Sequence, residues 1–268
     1  MTEAATRQRR NPGAPAWASL MVHGLEAGQE FYRELFGWEY RTGPQQLGPY
    51  VRAVADGHEV AGLGTKATDR QLPVAWLPYM ASDDADETAG LIREHGGTVA
   101  VGPLDADSAG RMTIASDTLG AAFGVWQDAT YPGLGIAPVG VRGAPVWFEL
   151  ITREASTAVK FYESVFGYET EAMGSAGMDH GMDYLTLYRD GVAVAGIHGV
   201  GQSLPRDRGP HWRTYFSVED TDAAVRRVRE LGGQVVREPQ DSPYGRVAAV
   251  ADPEGARFSV IRTEPSPR

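Results

Sequence analysis

The feature that most constrains the fold of this chain is a long internal repeat. The segment Phe-Tyr-Arg-Glu-Leu-Phe-Gly-Trp-Glu at 31–39 recurs as Phe-Tyr-Glu-Ser-Val-Phe-Gly-Tyr-Glu at 161–169, 130 residues later. Further matches follow in the same order, 134 to 136 residues apart: Asp-Gly at 56–57 and 190–191, Val-Ala-Gly at 60–62 and 194–196, Trp-x-x-Tyr at 76–79 and 212–215, Gly-Gly at 96–97 and 232–233, and Asp-x-x-Gly-x-x-Phe at 117–123 and 252–258. Two copies of this length predict duplicated globular modules, because a solenoid needs three or more short repeats to bury its faces.

The repeat also sets the expected domain bounds. We place the modules at 14–127 and 144–263 of the 268 residues, with tails at 1–13 and 264–268. Residues 128–143 are interpreted as a linker, since they carry Pro and Gly and neither hydrophobic period. The larger offset beyond the first match indicates a longer loop in the second module, between 173 and 183.

Within one module the pattern is that of two consecutive βαβββ-type units. In the first unit, an apolar run at 17–22 precedes a helical pattern at 26–36, which ends at Gly37. Strands at 50–55 and 59–63 flank Asp-Gly, a strong hairpin signal. A second strand, helix and strand series follows in each module. We therefore predict an α+β fold of tandem duplicated modules of paired βαβββ-type units, with sheets curved around a shared cleft.

Charge and composition narrow the classes of partner. The chain has 25 Lys and Arg against 35 Asp and Glu, a net charge of −10 that argues against nucleic-acid or membrane partners. It has no cysteine, which excludes disulfides and thiolate metal sites. The sequence shows neither a secretory h-region nor a spanning apolar run. We expect a cytoplasmic protein with a small-molecule ligand, as a monomer or a homodimer.

Two motifs carry a resemblance to a known family. Phe-Tyr-x-x-x-Phe-Gly occurs in both modules, and Asp-Pro-Glu-Gly-Ala-Arg-Phe stands at 252–258. With the module pattern, they make the chain similar to the vicinal oxygen chelate superfamily, which includes glyoxalase I, extradiol dioxygenases and bleomycin-resistance proteins. The resemblance covers both modules and implies the fold. It does not imply one reaction, because one fold serves many chemistries.

The resemblance also implies where a metal would be held. In metal-dependent members a histidine lies on the first strand, about 14 residues before the Phe-Tyr pair, and a glutamate lies on the last strand. These positions fall on Trp17 and Trp147, and on Gly124 and Ser259. None of the four is a good donor for a divalent metal. The prediction is therefore no metal and no cofactor.

A displaced site for a divalent transition metal is the alternative that stays open. Its ligands would be His180 and His198 with Asp179 or Asp183, because ligands can converge from distant parts of a chain. His180 belongs to the stretch 178–183, which is interpreted as a lid.

Strand alternation selects Glu149 as the candidate catalytic residue. If Trp17 and Trp147 face the cleft, so do Ser19 and Glu149, two residues further along each strand. Glu149 is then a general base or a hydrogen-bond acceptor, with a pKa raised by desolvation. Two structural alternatives remain: a carboxylate paired with arginine, or a strand displaced by one residue that turns Glu149 outward.

The same alternation predicts an aromatic-walled pocket. The candidate substrate-binding residues are Trp17, Ser19, Tyr79, Trp147, Arg213, Tyr215, Arg257 and Ser259. Stacking and cation–π contacts favour a planar or oxygenated ligand. In the structural alternative, the two tryptophans only fill core space.

Three functional hypotheses follow. The first is a metal-independent glyoxalase/bleomycin-resistance-like protein that binds or transforms an aromatic or oxygenated metabolite or antibiotic. The second is a lyase, isomerase, cyclase or dioxygenase, either with Glu149 as base and Arg213 or Arg257 stabilising an oxyanion, or with a non-standard metal site. The third, a scaffold for a partner protein, ranks last because no apolar stripe supports it.

Overall fold

A computed structural model describes residues 12–45, 48–65, 74–128, 140–172, 183–205 and 208–263. The first module contains β1 (Pro15–Val22), α1 (Leu25–Phe36), β2 (Glu39–Thr42), β3 (Tyr50–Ala55), β4 (His58–Thr65), β5 (Trp76–Ser82), α2 (Ala85–Glu94), β6 (Thr98–Ala106), β7 (Gly110–Ser116) and β8 (Ala122–Asp128). The second contains β9 (Pro145–Thr152), α3 (Ala155–Phe166), β10 (Glu169–Ala172), β11 (Asp183–Arg189), β12 (Val192–Gly199), β13 (His211–Ser217), α4 (Thr221–Glu230), β14 (Gln234–Ser242), β15 (Gly245–Ala251) and β16 (Arg257–Thr263).

Each module forms one eight-stranded mixed sheet, in the order β2-β3-β4-β1-β5-β8-β7-β6 in the first module. The second sheet has the equivalent order, β10-β11-β12-β9-β13-β16-β15-β14. The first strands of the two units pair antiparallel at the sheet centre, and each pairs with the last strand of its own unit in parallel. The predicted α+β fold of paired βαβββ units is confirmed.

The short strands β2 and β10 were not predicted. Each has four residues at a sheet edge, and three of the four side chains are exposed. A strand without a buried face carries no alternation of apolar and polar residues, so the sequence gives little signal for it. The predicted linker, the tails and the stretch 178–182 fall largely or wholly outside the described residues, and the module bounds stay predictions.

The repeated Phe-Tyr-x-x-x-Phe motif forms the contact between the modules. Phe36 on α1 packs against Phe216 and Phe258 of the second sheet, with ring centroids 5.2 and 6.0 Å apart. Reciprocally, Phe166 on α3 packs against Phe123 of the first sheet at 5.9 Å. These helices thus bury their aromatic faces between the two sheets, so the inner faces of both sheets share one core.

Two equivalent hydrogen-bond chains run through this core. The Tyr32 hydroxyl donates to Asp252 across the interface at 2.9 Å and accepts from the Trp76 indole at 3.0 Å. The Tyr162 hydroxyl donates to Asp117 at 3.3 Å and accepts from the Trp212 indole at 3.0 Å. Several repeated motifs therefore serve the fit between modules rather than ligand chemistry.

This packing shows that the prediction of a single cleft shared by the two modules is wrong. Along β1, Ala18, Leu20 and Val22 face the helices, so Trp17 and Ser19 lie on the opposite face of the sheet. Each sheet has its own concave face, turned away from the other module. Helix pairing across the modules, which sets this geometry, leaves no local pattern in the sequence. In the described part of the chain, no helix has the length and apolar character needed to cross a membrane.

Candidate functional site

The concave face of the first sheet contains a cavity of about 140 Å³. Side chains from both βαβββ units form its wall: Trp17, Ser19, Met21, Tyr50, Arg52, Tyr79, Met112, Ile114 and Trp126. Most of this wall is aromatic or aliphatic. The volume is close to the roughly 150 Å³ of an engineered cavity that holds one benzene ring. The cavity therefore matches one aromatic ring.

Three predicted residues lie on this wall: Trp17, Ser19 and Tyr79. The Trp17 indole N–H donates to the Tyr50 hydroxyl at 2.7 Å, and the Ser19 hydroxyl lies 3.0 Å from the same oxygen. Burial raises the pKa of Tyr50, so this phenol stays protonated at neutral pH. The apolar wall thus has one polar point, made of two neighbouring hydroxyls.

Tyr50 was not identified from the sequence, although a signal for it existed. Its ring lies over Gly62, where an added Cβ would come 1.8 Å from the hydroxyl oxygen. In the second module Tyr184 lies over Gly196 in the same way and accepts from the Trp147 indole at 3.0 Å. The repeated Val-Ala-Gly segment, read together with the tyrosine at the start of the preceding strand, was that signal.

One charged side chain, Arg52, lies on the cavity wall among the described residues. Its guanidinium donates to the Glu59 carboxylate at 3.2 Å and to the Thr42 carbonyl at 3.0 Å. The ion pair balances the guanidinium charge. The first-module cavity is therefore electrically close to neutral.

The concave face of the second sheet instead contains a cluster around Glu149. The Tyr215 hydroxyl donates to Glu149 Oε2 at 2.7 Å, and Arg213 lies 3.6 Å from the same oxygen. His198 Nδ1 lies 3.6 Å from Glu149 Oε1. Strand register explains this convergence, because Glu149 stands opposite Arg213 on β13 and opposite Gly196 on β12.

The expectation that the pKa of Glu149 is raised is wrong. The side chain is buried, and burial alone would raise its pKa. The contacts with His198, Arg213 and Tyr215 together outweigh that effect and hold the pKa below its ordinary value. Glu149 is therefore an ionised acceptor at neutral pH. The pairing with arginine that the sequence left open is present.

The other predicted residues of the second module differ in exposure. Ser259 is buried next to Tyr215, its partner in the parallel pairing of β13 with β16. Trp147 and Tyr215 are half-buried, and Arg257 is exposed. The nine predicted site residues thus divide between two sheets: three lie on the first-module cavity, and six belong to the second module.

The described residues do not fit a metal ion. The positions implied by the resemblance hold Trp17, Trp147, Gly124 and Ser259, and the Tyr79 ring covers Gly124. Within the described ranges, no group of three or more His, Asp or Glu side chains is placed to hold a metal. The carboxylate of Glu149 has a guanidinium as its cationic neighbour. Of the displaced-site ligands, His180 and Asp179 lie outside the described residues, as does the side chain of Asp183.

Comparison with known proteins identifies the family. A family model described as the Glyoxalase/Bleomycin resistance protein/Dioxygenase superfamily matches residues 144–260. The anthracycline biosynthesis protein DauV of Streptomyces sp. strain C5 is 36% identical over 264 residues, covering 93% of each chain. The chain belongs to the glyoxalase/bleomycin resistance protein/dioxygenase superfamily. The predicted resemblance is confirmed.

Other members of the superfamily show the breadth of its chemistry. CFP32 of Mycobacterium tuberculosis, provisionally named a glyoxylase, is 34% identical over 265 residues, covering 97% of this chain and 98% of its own. The Mn(II)-bound glyoxalase of Novosphingobium aromaticivorans matches with a TM-score of 0.64 at 17% identity, over 94% of this chain and 82% of that one. The 2,3-dioxygenase LapB of Pseudomonas sp. KL28 matches with a TM-score of 0.63 at 17% identity, over 97% and 96%. At that identity the two structures show a shared fold only.

Proposed function

We propose that this superfamily member is a metal-independent protein that binds an aromatic or oxygenated small molecule, a metabolite or an antibiotic, in the first-module cavity. The observation that carries the proposal is the cavity wall itself. Tyr79, Trp17 and Trp126 present aromatic surface, and the hydroxyls of Ser19 and Tyr50 supply one polar point. A ligand pocket typically combines such an apolar lining with a few placed polar groups.

The proposal of a flat ligand rests on the shape and chemistry of this wall. Aromatic side chains gain about 0.5–1.5 kcal/mol per favourable ring pair beyond burial. The Tyr79 ring is fixed from below because it lies directly over Gly124 on the neighbouring strand. A ring that enters the cavity therefore meets a preformed aromatic surface, which lowers the entropy cost of binding.

The names of two relatives support the aromatic class. DauV and DnrV, the latter from Streptomyces peucetius and 35% identical over 264 residues, are both named anthracycline biosynthesis proteins. An anthracycline contains fused aromatic rings with oxygen substituents. One such ring matches the cavity volume, and the remaining rings would extend towards solvent.

Metal independence is supported by the donor chemistry at the positions described above. An indole and a glycine offer no lone pair to a cation, and a serine hydroxyl is a poor ligand beside imidazole and carboxylate. Protein purified without chelator is expected to contain no stoichiometric iron, manganese, nickel or zinc by elemental analysis. A stoichiometric metal, retained after dialysis, would contradict this part of the proposal.

Calorimetric titration with a panel of fused-ring compounds tests the binding function, with 2-naphthol as a reference probe. We expect saturable binding, and the Tyr79→Leu variant should weaken it by about 5- to 30-fold, the loss of about 1–2 kcal/mol of aromatic contact. The matched Tyr215→Leu variant of the second module should leave the 2-naphthol affinity unchanged. No binding across the panel, or equal losses in both variants, would overturn the proposal.

A second candidate function, catalysis by a lyase or isomerase, is favoured by one observation: an ionised carboxylate that is 5% exposed lies between Tyr215 and Arg213. In such a reaction Arg213 would stabilise an oxyanion, and Glu149 would hold Tyr215 and Arg213 in place. Glu149→Gln should then lower turnover of any substrate found for the protein. Full turnover in that variant would remove this candidate.

A further inference from the structure

The two modules form an internal comparison at equivalent positions. Strand register aligns five residues of the first sheet with five of the second: Ser19 with Glu149, Gly64 with His198, Leu77 with Arg213, Ala122 with Arg257, and Gly124 with Ser259. At these positions the first module has small or apolar side chains, apart from one serine. The second has polar or charged side chains throughout.

The first module shows that the fold does not require these charges. Both sheets have the same strand order and equivalent register. A buried carboxylate has a desolvation cost of several kcal/mol, which its partners only partly or just offset. The first module forms the same sheet with Ser19 in place of Glu149. The charged cluster therefore needs a reason other than folding.

The arrangement of the cluster indicates what it faces. The Glu149 side chain is 7% exposed, whereas those of Arg213 and His198 are 24% and 23% exposed. The carboxylate therefore lies at the bottom of the cluster, and the groups above it are donors. Tyr215 also directs its hydroxyl at Glu149, so one carboxylate orients three side chains from two different strands.

Two arginines lie on this face, on adjacent strands. Arg213 and Arg257 each precede by two residues the aligned pair Tyr215 and Ser259 of the parallel strands β13 and β16. Neighbouring strands are about 4.8 Å apart, and like charges side by side on one face are destabilising. With one Glu149 charge against two guanidinium charges, the face carries a formal excess of one positive charge.

We propose that the concave face of the second sheet is a separate binding site for an anionic oxygen group on an aromatic ligand, a carboxylate or phenolate, with Arg213 and Arg257 as its recognition residues. Glu149 is a positioning residue that orients Arg213 and Tyr215. Trp147 and Tyr184, joined by a hydrogen bond of 3.0 Å, supply aromatic surface beside the arginines. Guanidinium groups bind carboxylates through paired charge-assisted hydrogen bonds. The two modules then bind different ligands, separated by charge, and the inference extends the proposed function to a second site.

Two ligands of the same size but different charge test this inference on the full chain. At neutral pH 2-naphthol is neutral and 2-naphthoate is an anion, and calorimetry gives the affinity of each. We expect 2-naphthoate to bind at a site where 2-naphthol does not compete. Arg213→Gln should weaken 2-naphthoate by about 10-fold or more, the usual effect of losing a charge-assisted contact.

Arg257→Gln provides a second variant, because Arg257 is exposed and its loss leaves no buried carboxylate uncompensated. It should also weaken 2-naphthoate, and Glu149→Gln should do so with unchanged 2-naphthol affinity. Tyr79→Leu, the matched change in the first module, should weaken 2-naphthol and leave 2-naphthoate unchanged.

The outcomes separate this inference from the proposed function. Unchanged 2-naphthoate affinity in both arginine variants, competition between the two ligands, or no 2-naphthoate binding to the unaltered protein would overturn the second site. Each of these results leaves the first-module site standing if 2-naphthol binds and depends on Tyr79. Loss of 2-naphthol binding alone would overturn the proposed function and leave the second site intact.

Discussion

The hydrogen-bond chain at Tyr32 allows the contact between the modules to be tested quantitatively. Tyr32→Phe removes one hydroxyl and with it two hydrogen bonds, to Asp252 at 2.9 Å and from Trp76 at 3.0 Å. Both partners are buried, Trp76 to 1% and Asp252 to 3% exposure. A buried polar group left without its partner costs about 1–3 kcal/mol. Since Asp252 keeps two backbone hydrogen bonds, from Glu254 and Ala256, we expect a total loss of about 2–4 kcal/mol.

Urea unfolding, followed by tryptophan fluorescence and circular dichroism, gives the free energy of unfolding for each variant. The equivalent Tyr162→Phe change should have a smaller effect, because the hydrogen bond from Tyr162 to Asp117 is longer, at 3.3 Å. Tyr40→Phe is the control. Its hydroxyl donates to the Gln29 carbonyl at 3.0 Å within one module and is only partly buried, so we expect a loss of about 1 kcal/mol.

A double-mutant cycle of Tyr32→Phe with Asp252→Asn isolates the contact across the interface. A coupling energy of about 1 kcal/mol or more is expected for groups that share a buried hydrogen bond. If Tyr32→Phe changed the free energy of unfolding by less than the Tyr40 control, or the cycle gave no coupling, the hydrogen-bond chain would not be what joins the modules at this point.

Three further predictions concern single positions. Gly62→Ala should destabilise the protein by about 1–3 kcal/mol in urea unfolding, because the new Cβ would come 1.8 Å from the Tyr50 hydroxyl; a neutral result would refute the close approach. Gly90→Ala, on the exposed face of α2 with open space around it, should instead stabilise by about 1 kcal/mol, and destabilisation there would contradict the helix assignment. Burial raises the pKa of Asp252 above 3.8, so its protonated form stabilises the fold at low pH, and that contribution is lost as the pH rises through the folded-state pKa. The stability of the wild type relative to Asp252→Asn should therefore fall over this pH range, and a difference independent of pH would refute the raised pKa.

Local patterns in the sequence predicted the elements of the fold. The repeat predicted two equivalent modules, and periodicity with glycine stops predicted helices close to the observed α1 and α3. Strand alternation predicted that Trp17, Ser19 and Tyr79 share one face, and all three line the cavity. These inferences succeeded because each depends on residues that are neighbours in the chain or in its repeat.

The errors arose where distant strands meet. The pKa of Glu149 depends on His198, Arg213 and Tyr215, which reach it from two other strands, and burial alone gave the wrong direction. The shared cleft was wrong because the sequence does not show that α1 and α3 pack between the sheets. Tyr50 and Tyr184 were missed as site residues because their positions follow from glycines on the neighbouring strand. Ligand binding by the predicted residues stays a prediction.

The back-to-back packing of the two sheets within one polypeptide has a consequence for diversification. In a symmetric homodimer, one gene change alters the same surface patch in both subunits. Here a codon change at Glu149 or Arg213 modifies only its own half, and the core at Tyr32 and Tyr162 is left as it was. Joining the halves covalently thus lets one half acquire charge while its sibling keeps an uncharged lining.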